Sequence, residues 1–276
     1  MTPLITANQL EEIMNSGENV LLCDCRFDLV DTQAGKKAYE ESHIPGAIYV
    51  DLDQDLSGSK TGKNGRHPLP TPEAWAQTKT RLGISPTTLV VAYDKQGSVY
   101  ASRLWWMLKA TGHANVQVLD GGLDAWNGPM GTIPRKPTPS NAPVAARPYE
   151  GLVFVDEVVA NLQSKKYIVI DARANDRFHG QNETLDPIGG HIPGALNHFF
   201  KQNLSATAFK SSEHLFKDFV ELLGSHKPAQ VIHQCGSGVT ACHNLLAMEV
   251  AGLKGSRLYA GSWSEWCADS NRPLET

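Results

Sequence analysis

The chain has 276 residues, a hydrophobic content of 41% and a formal charge of -4, enough for two domains of about 140 residues, near the usual size of a self-contained core. Acidic and basic residues are interspersed throughout, with no basic stripe of the kind a phosphate backbone attracts, so nucleic acid is not an expected partner. No stretch approaches the roughly 18 apolar residues of a membrane span, and the five cysteines form an odd set that does not suggest a disulfide framework.

The N-terminal stretch MTPLITANQLEEIMNSGENVLLCD carries Glu11, Glu12 and Glu18 and lacks the basic n-region and apolar run of a secretory signal; the expected compartment is the cytoplasm. VLLCDCRFD (20–28) is a β-branched and Leu run that closes on Asp-x-Arg. In SHIPGAIYV (42–50) a Pro and a Gly separate two apolar segments, a turn leading into a strand. LVVAYD ends at Asp94, the helix-length VYASRLWWMLKA follows, and DGGLDAW closes at Trp126. GPMGTIPRKPTPSNAPVAARPYEG then interrupts both helical and strand periods and reads as an extended linker.

The same series now recurs as IVIDARAND (168–176), GHIPGALNH (190–198), QVIHQC ending at Cys235, VTACHNLLAMEV, and AGSWSEW (260–266). The offset is 147 between Asp24 and Asp171 and 148 between His43 and His191, which marks a duplication. Two copies are expected, over 1–130 and 152–276, with the linker over 131–151. Strands alternate with helices and show little apolar-polar alternation themselves, so each copy is predicted to be an α/β domain, a parallel sheet flanked by helices on both faces. Trp105 and Trp106 sit in an apolar helix and are expected in the core rather than on a stacking platform.

Cys235-Gly236-Ser237-Gly238-Val239-Thr240 lies between a strand and the following helix, where parallel sheets bind ligands. Glycines at 236 and 238 permit positive φ, so N–H groups can turn inward at a helix N-terminus and form an anion cradle. Such a cradle depresses a thiol pKa and would also hold a persulfide, and the hydroxyls of Ser237 and Thr240 can add hydrogen bonds or relay a proton. The alternative is a buried structural cysteine beside a loop that merely needs glycine. The first copy has Asp94 followed by Lys95-Gln96-Gly97-Ser98 in the same place, so one copy keeps a nucleophile that the other lacks.

The tandem halves, the HIPGA motif in both and the Cys-Gly-Ser-Gly-Val-Thr loop together resemble the rhodanese superfamily over nearly the whole chain. The resemblance implies a catalytically silent first copy. It implies transfer of a sulfane sulfur from 3-mercaptopyruvate, through a persulfide on Cys235, to a thiol or cyanide, with pyruvate released. Thioredoxin or small thiols would be the acceptors, no cofactor is implied, and a monomer is expected. Thiosulfate-using members carry two cations directly after the Cys, whereas Gly236 and Ser237 are neutral, so charge matching favours the monocarboxylate donor. Thiosulfate is the alternative donor. A non-catalytic persulfide carrier or regulatory module is the alternative of another class.

By the same resemblance, Arg177 falls on the family Arg that binds the substrate carboxylate, and Gly236, Gly238, Val239 and Thr240 line the substrate. Arg177 read alone is a solvated surface residue. The family's second Arg, nine residues later, is replaced here by Asp186. Asp53 and His67 become proton-handling partners of Ser237 and Tyr100 a substrate contact, which would place the site between the halves; read alone, Asp53 is a loop carboxylate and His67 a surface His before Pro68. Arg173 has a twin in Arg26, which suggests that Asp-x-Arg is a structural pair in both copies.

The residues present argue against two other chemistries. A phosphatase of related fold needs Arg six residues after its Cys, and Ala241 stands there. Cys23 with Cys25, or His233 with Cys235, Cys242 and His243, supply metal-ligand types. A helix from 239 puts Cys242 and His243 on different faces and no Cys-x2-Cys pair exists, so no metal is expected.

Overall fold

In the computed structural model, which describes residues 2–141 and 144–276, the first copy begins with Leu4–Ile5 (β1) and Ala7–Ser16 (α1). Thr6 and Gln9 close a reciprocal capping box on α1, and Gly17 in the left-handed region ends it. Val20–Asp24 (β2), Ala34–Glu41 (α2), Ile48–Tyr49 (β3), Pro72–Leu82 (α3), Leu89–Tyr93 (β4), Val99–Ala110 (α4) and Val116–Leu119 (β5) follow. α3 shows why it starts and stops where it does: Thr71 caps it, Pro72 opens it and Gly83 at φ 82° closes it.

The strands form a parallel sheet in the order β1-β5-β4-β2-β3, with β2 and β4 in register from Val20 against Leu89 to Asp24 against Tyr93. Because helices cover both faces, the central strands are buried along their length, which is why they read as unbroken apolar runs. One face packs Leu10, Leu22, Tyr39, Ile44, Val91, Tyr93 and Trp126; Trp105 and Trp106 are also buried.

The second copy repeats this plan. Leu152–Val153 (β6), Val155–Ser164 (α5), Ile168–Asp171 (β7), Asn175–Phe178 (α6) and Leu196–Asn197 (β8) come first, then the short strands Leu204–Ser205 (β9) and Ala208–Phe209 (β10). Ser212–Leu223 (α7), Val231–Gln234 (β11), Thr240–Val250 (α8), Arg257–Tyr259 (β12) and Ser262–Trp266 (α9) complete it. Its sheet is again parallel, in the matching order β6-β12-β11-β7-β8. Val153, Val158, Phe178, Ile192, Ile232, Tyr259, Trp263 and Trp266 form its core.

Two repeated devices hold each sheet to its loops. In HIPGA, Ala47 N–H donates to Ile44 and Ala195 N–H to Ile192, with Gly46 at φ 82° and Gly194 at φ 75°, the Pro-Gly signature of a type II turn. At the strand ends, Arg26 forks onto Asp24 at 2.6 Å and donates to Ser42 O at 2.6 Å, and Arg173 forks onto Asp171 at 2.7 Å and donates to Gly190 O at 2.6 Å. Asp-x-Arg therefore ties a strand to the HIPGA turn in both copies.

The compact units interleave along the sequence. One comprises residues up to Gly58, Pro70–Glu150 and Ala206–Phe209; the other comprises Ser59–Leu69, Gly151–Ser205 and Lys210–Thr276. The stretch expected as a linker is bound to the first unit through His43 N–H to Gly131 O at 2.9 Å, Arg135 N–H to Tyr39 Oη at 2.9 Å and Ser140 N–H to Thr80 O at 2.8 Å. Among the described residues no helix is long and apolar enough to cross a membrane.

Candidate active site

β11 delivers Cys235 to its carboxyl end, and α8 starts five residues later. The turn between them is fixed from below: Cys235 N–H donates to Ser262 Oγ at 3.1 Å, while Cys235 O and Gly236 O accept from Trp263 and Ser264 at 2.9 Å. Gly238 has φ 76°, and a Cβ there would lie 2.3 Å from Ala260 O, so only glycine fits. In that conformation the Gly238 N–H points at the Cys235 sulfur, 3.1 Å away. The thiol itself is buried.

Ser237 and His67 meet. His67 Nδ1 lies 2.8 Å from Ser237 Oγ, and both side chains are buried. His67 belongs to Ser59–Leu69, which packs with the second unit, so its reading as a surface His before Pro68 is corrected. A hydroxyl in this pairing can pass a proton to or from an imidazole next to the nucleophile. Val239 precedes α8 and is buried; Thr240 opens the helix, and no hydrogen bond of its hydroxyl is found among the described residues.

Arg177 is partly buried and paired rather than a free surface cation. Its Nε and Nη2 fork onto Glu183 at 3.0 and 2.8 Å, and Nη2 also lies 3.5 Å from Asp186. Burial pushes the Glu183 carboxyl up, but the Leu185 N–H and the Arg177 fork outweigh it, so it sits below its ordinary range and stays charged. Asp53 and Tyr100 lie in the first unit. Asp53 N–H donates to Asp51 at 2.8 Å, and Tyr100, on α4, packs its ring edge-on against Phe27 at 5.6 Å.

One residue at the site escaped the sequence reading. Arg66, immediately before His67, donates its N–H to Ser264 Oγ at 3.0 Å and pairs its guanidinium with Asp186. A Cβ on Gly236 would lie 2.8 Å from Arg66 Nη2, 3.6 Å from Arg177 Nη2 and 3.9 Å from Arg173 Cδ. Three arginines therefore converge on the residue next to Cys235. Burial disfavours the Arg173 charge, but Asp171, Glu183 and Cys235 more than offset it and raise its pKa. The signal was its place beside His67 in Gly-Arg-His-Pro.

The site thus offers a buried thiol under a backbone donor, a serine on an imidazole, and three guanidinium groups held in place by Asp171, Glu183 and Asp186. Cys242, in the first turn of α8, donates its thiol to Gly238 O at 3.3 Å and braces the loop. Among the described residues no group of three or more His, Cys, Asp or Glu could hold a metal ion.

Known proteins carry this architecture. The model of the rhodanese-like domain matches residues 6–129 and again 154–269. A probable 3-mercaptopyruvate sulfurtransferase of Pseudomonas aeruginosa is 40% identical over 99% of this chain and 98% of its own. The human 3-mercaptopyruvate sulfurtransferase is 35% identical over 95% and 91%, and a putative thiosulfate sulfurtransferase of Mycobacterium tuberculosis is 35% identical over 98% and 96%. Among solved structures, SseA from Escherichia coli, a protein of rhodanese fold, superposes with a TM-score of 0.81 at 29% identity, over 95% of this chain and 99% of its own. With the domain matched twice and relatives aligned from end to end, the chain belongs to the rhodanese family, as a sulfurtransferase built from two rhodanese domains in tandem.

Proposed function

We propose that the chain carries a sulfane sulfur from 3-mercaptopyruvate, through a persulfide on Cys235, to a thiol acceptor. The observation that carries this reading is the buried Cys235 sulfur set under the Gly238 N–H and beside both the Ser237–His67 pair and the arginine cluster. In the first step the Cys235 thiolate attacks the donor sulfur. An S–S bond forms, the donor C–S bond breaks, and its electron pair leaves on the three-carbon fragment as pyruvate enolate. A proton relayed from His67 through Ser237 converts the enolate to pyruvate, while Arg177 holds the carboxylate.

In the second step an acceptor thiolate attacks the outer sulfur, and Cys235 leaves as a thiolate, as in thiol-disulfide exchange. The loop N–H groups from Gly236 to Thr240 serve the thiolate in both halves of the cycle. The family resemblance adds Asp53 to this scheme as a further proton-handling group and Tyr100 as a substrate contact. Thioredoxin or a small thiol is the proposed acceptor, with the protein acting as a monomer in the cytoplasm. The neutral Gly236 and Ser237 favour this donor over thiosulfate, whose second charge would gain from cations at those positions.

Single-turnover mass spectrometry with 3-mercaptopyruvate is expected to add about 32 Da, one sulfur atom, at Cys235. Sulfur still loaded on Cys235→Ser would sink the assignment. Arg177→Ala separates enzyme from carrier: kcat/KM is expected to fall about 100-fold, whereas a carrier loaded by another protein would barely change.

A further inference from the structure

Asp186 is an acid placed where a cation is expected, and its side chain is only 2% exposed. A carboxylate so buried needs charged partners. It has two: one oxygen pairs with Arg66 Nη1 and the other lies 3.5 Å from Arg177 Nη2. Arg66 is brought in by a tightly seated segment. Gly65, at φ 87°, sits so close to α9 that a Cβ would lie 2.8 Å from Gly261 O, Arg66 N–H is bonded to Ser264, and His67 is bonded to Ser237. From that seat Arg66 Nη2 reaches within 2.8 Å of the place a side chain on Gly236 would start.

We propose that Arg66 is a second cation gripping the donor carboxylate, and that Asp186 is the positioning residue that holds it there. The inference rests on the sulfur-transfer reading above. Two guanidinium groups this close repel each other; the buried Asp186 carboxylate between them offsets that repulsion and fixes Arg66, while Glu183 forks and orients Arg177. Fixed donors cost a ligand little ordering entropy. Gly236 is then neutral and small for a reason: any side chain would displace the Arg66 guanidinium. The cation missing from position 186 has been supplied by position 66, and the acid at 186 is what holds it in place.

Steady-state kinetics of the full chain test this, with 3-mercaptopyruvate and thiosulfate as donors. Arg66→Ala would leave Asp186 buried and short of a partner, so the deciding variant is Arg66→Gln with Asp186→Asn, which replaces the pair by neutral hydrogen-bonding groups of similar size. With an unchanged melting temperature as the check on folding, KM for 3-mercaptopyruvate is expected to rise about 10- to 100-fold while kcat stays within about threefold. Asp186→Asn alone should raise KM less, because Arg66 remains. An unchanged KM in the paired variant overturns the proposal, as does a loss confined to kcat. If the parent protein prefers thiosulfate, the mercaptopyruvate reading fails by itself. The role of Arg66 is then judged on KM for thiosulfate, where a rise of similar size keeps it and no rise overturns it.

Discussion

The Cys235 loop and the Asp94 loop are the same turn put to different use. Each follows a central strand, reaches its helix five residues on, and has glycine in the left-handed region at the fourth position, Gly238 at φ 76° and Gly97 at φ 70°. Each is braced from below alike: Cys235 O accepts from Trp263 at 2.9 Å and Asp94 O from Leu123 at 2.8 Å. The contents of the turn differ. In the first unit the Asp94 carboxylate fills its own cradle, taking N–H bonds from Gln96 and Ser98 at 2.9 and 2.8 Å and from Tyr100 and Ala101 at 2.8 and 3.0 Å. In the second, Gly238 donates to a sulfur. The first loop thus displays what this turn can hold, a carboxylate set among backbone N–H groups, and its cradle is already filled by its own side chain.

The largest effect should come from moving that filler. Cys235→Asp places the carboxylate of the first loop in the second, and sulfur transfer should fall to background while the melting temperature stays at or above that of Cys235→Ser. A melting temperature well below Cys235→Ser would show that the two turns are not equivalent cradles. The reverse change, Asp94→Cys, should gain no activity, because Gln96 stands at the position of Ser237 and spends its amide on Phe27 O at 3.1 Å.

Next in size is the cost of spoiling the filled cradle. Burial holds the Asp94 carboxyl above its ordinary range against the opposing pull of four backbone donors, and all four contacts require an acceptor. Asp94→Asn keeps one acceptor oxygen and turns an NH2 toward other donors, so it should destabilise the first unit by about 2–4 kcal/mol in thermal or denaturant unfolding. A change under about 0.5 kcal/mol would mean the carboxylate is a bystander.

These loops also show what could be read from the sequence and what could not. The duplication, the parallel sheets and the Cys235 turn were legible because strand runs, HIPGA and glycine spacing are local signals. His67 was found as part of a motif, yet its burial was not, because the segment around it packs with the second unit rather than with its sequence neighbours. Arg66 and Asp186 are 120 residues apart; no local pattern pairs them, and Asp186 alone looked like a lost cation. Arg177 looked solvated although Glu183 and Asp186 lie within nine residues of it, a charge pattern that could have signalled the clamp. In the sequence Asp94 marks only the lack of a nucleophile, since filling a cradle leaves no mark beyond the residue itself.

Acid should separate the two units by a smaller margin. On β11, two residues before Cys235, His233 is fully buried where β4 has Ala92. Burial, and then the nearby His198, push His233 down to about 3, and His198 is lowered chiefly by burial. Both rings are neutral in the native state, whereas the unfolded chain takes up protons near pH 6.5. Stability contributed by the neutral forms is therefore complete above about pH 6.5 and declines below it, by about 1.4 kcal/mol per pH unit for each histidine, down to the native value. In the first unit burial lowers His113, which lies outside β4. Hydrogen exchange at pH 5 against pH 7.5 should show β11 losing more protection than β4, and His233→Ala should narrow the gap. Equal losses would refute this account of the difference.

Thr240 should give the smallest effect. It opens α8 where Val99 opens α4, so the turn folds without a hydroxyl at that position. The sequence suggested that Thr240 bonds the anion or relays a proton; in the structure no hydrogen bond of its hydroxyl is found among the described residues, while the Ser237 hydroxyl meets His67 at 2.8 Å. Thr240→Ala is accordingly expected to hold kcat/KM within about threefold and stability within about 0.5 kcal/mol, with Thr240→Val, which copies the first unit, behaving the same. Ser237→Ala removes the relay and should lower kcat about 100-fold. A loss for Thr240→Val that matches Ser237→Ala would mean its hydroxyl turns to the sulfur only when substrate or persulfide is bound. The first loop, which never binds either, would then be the wrong guide to that end of the cradle.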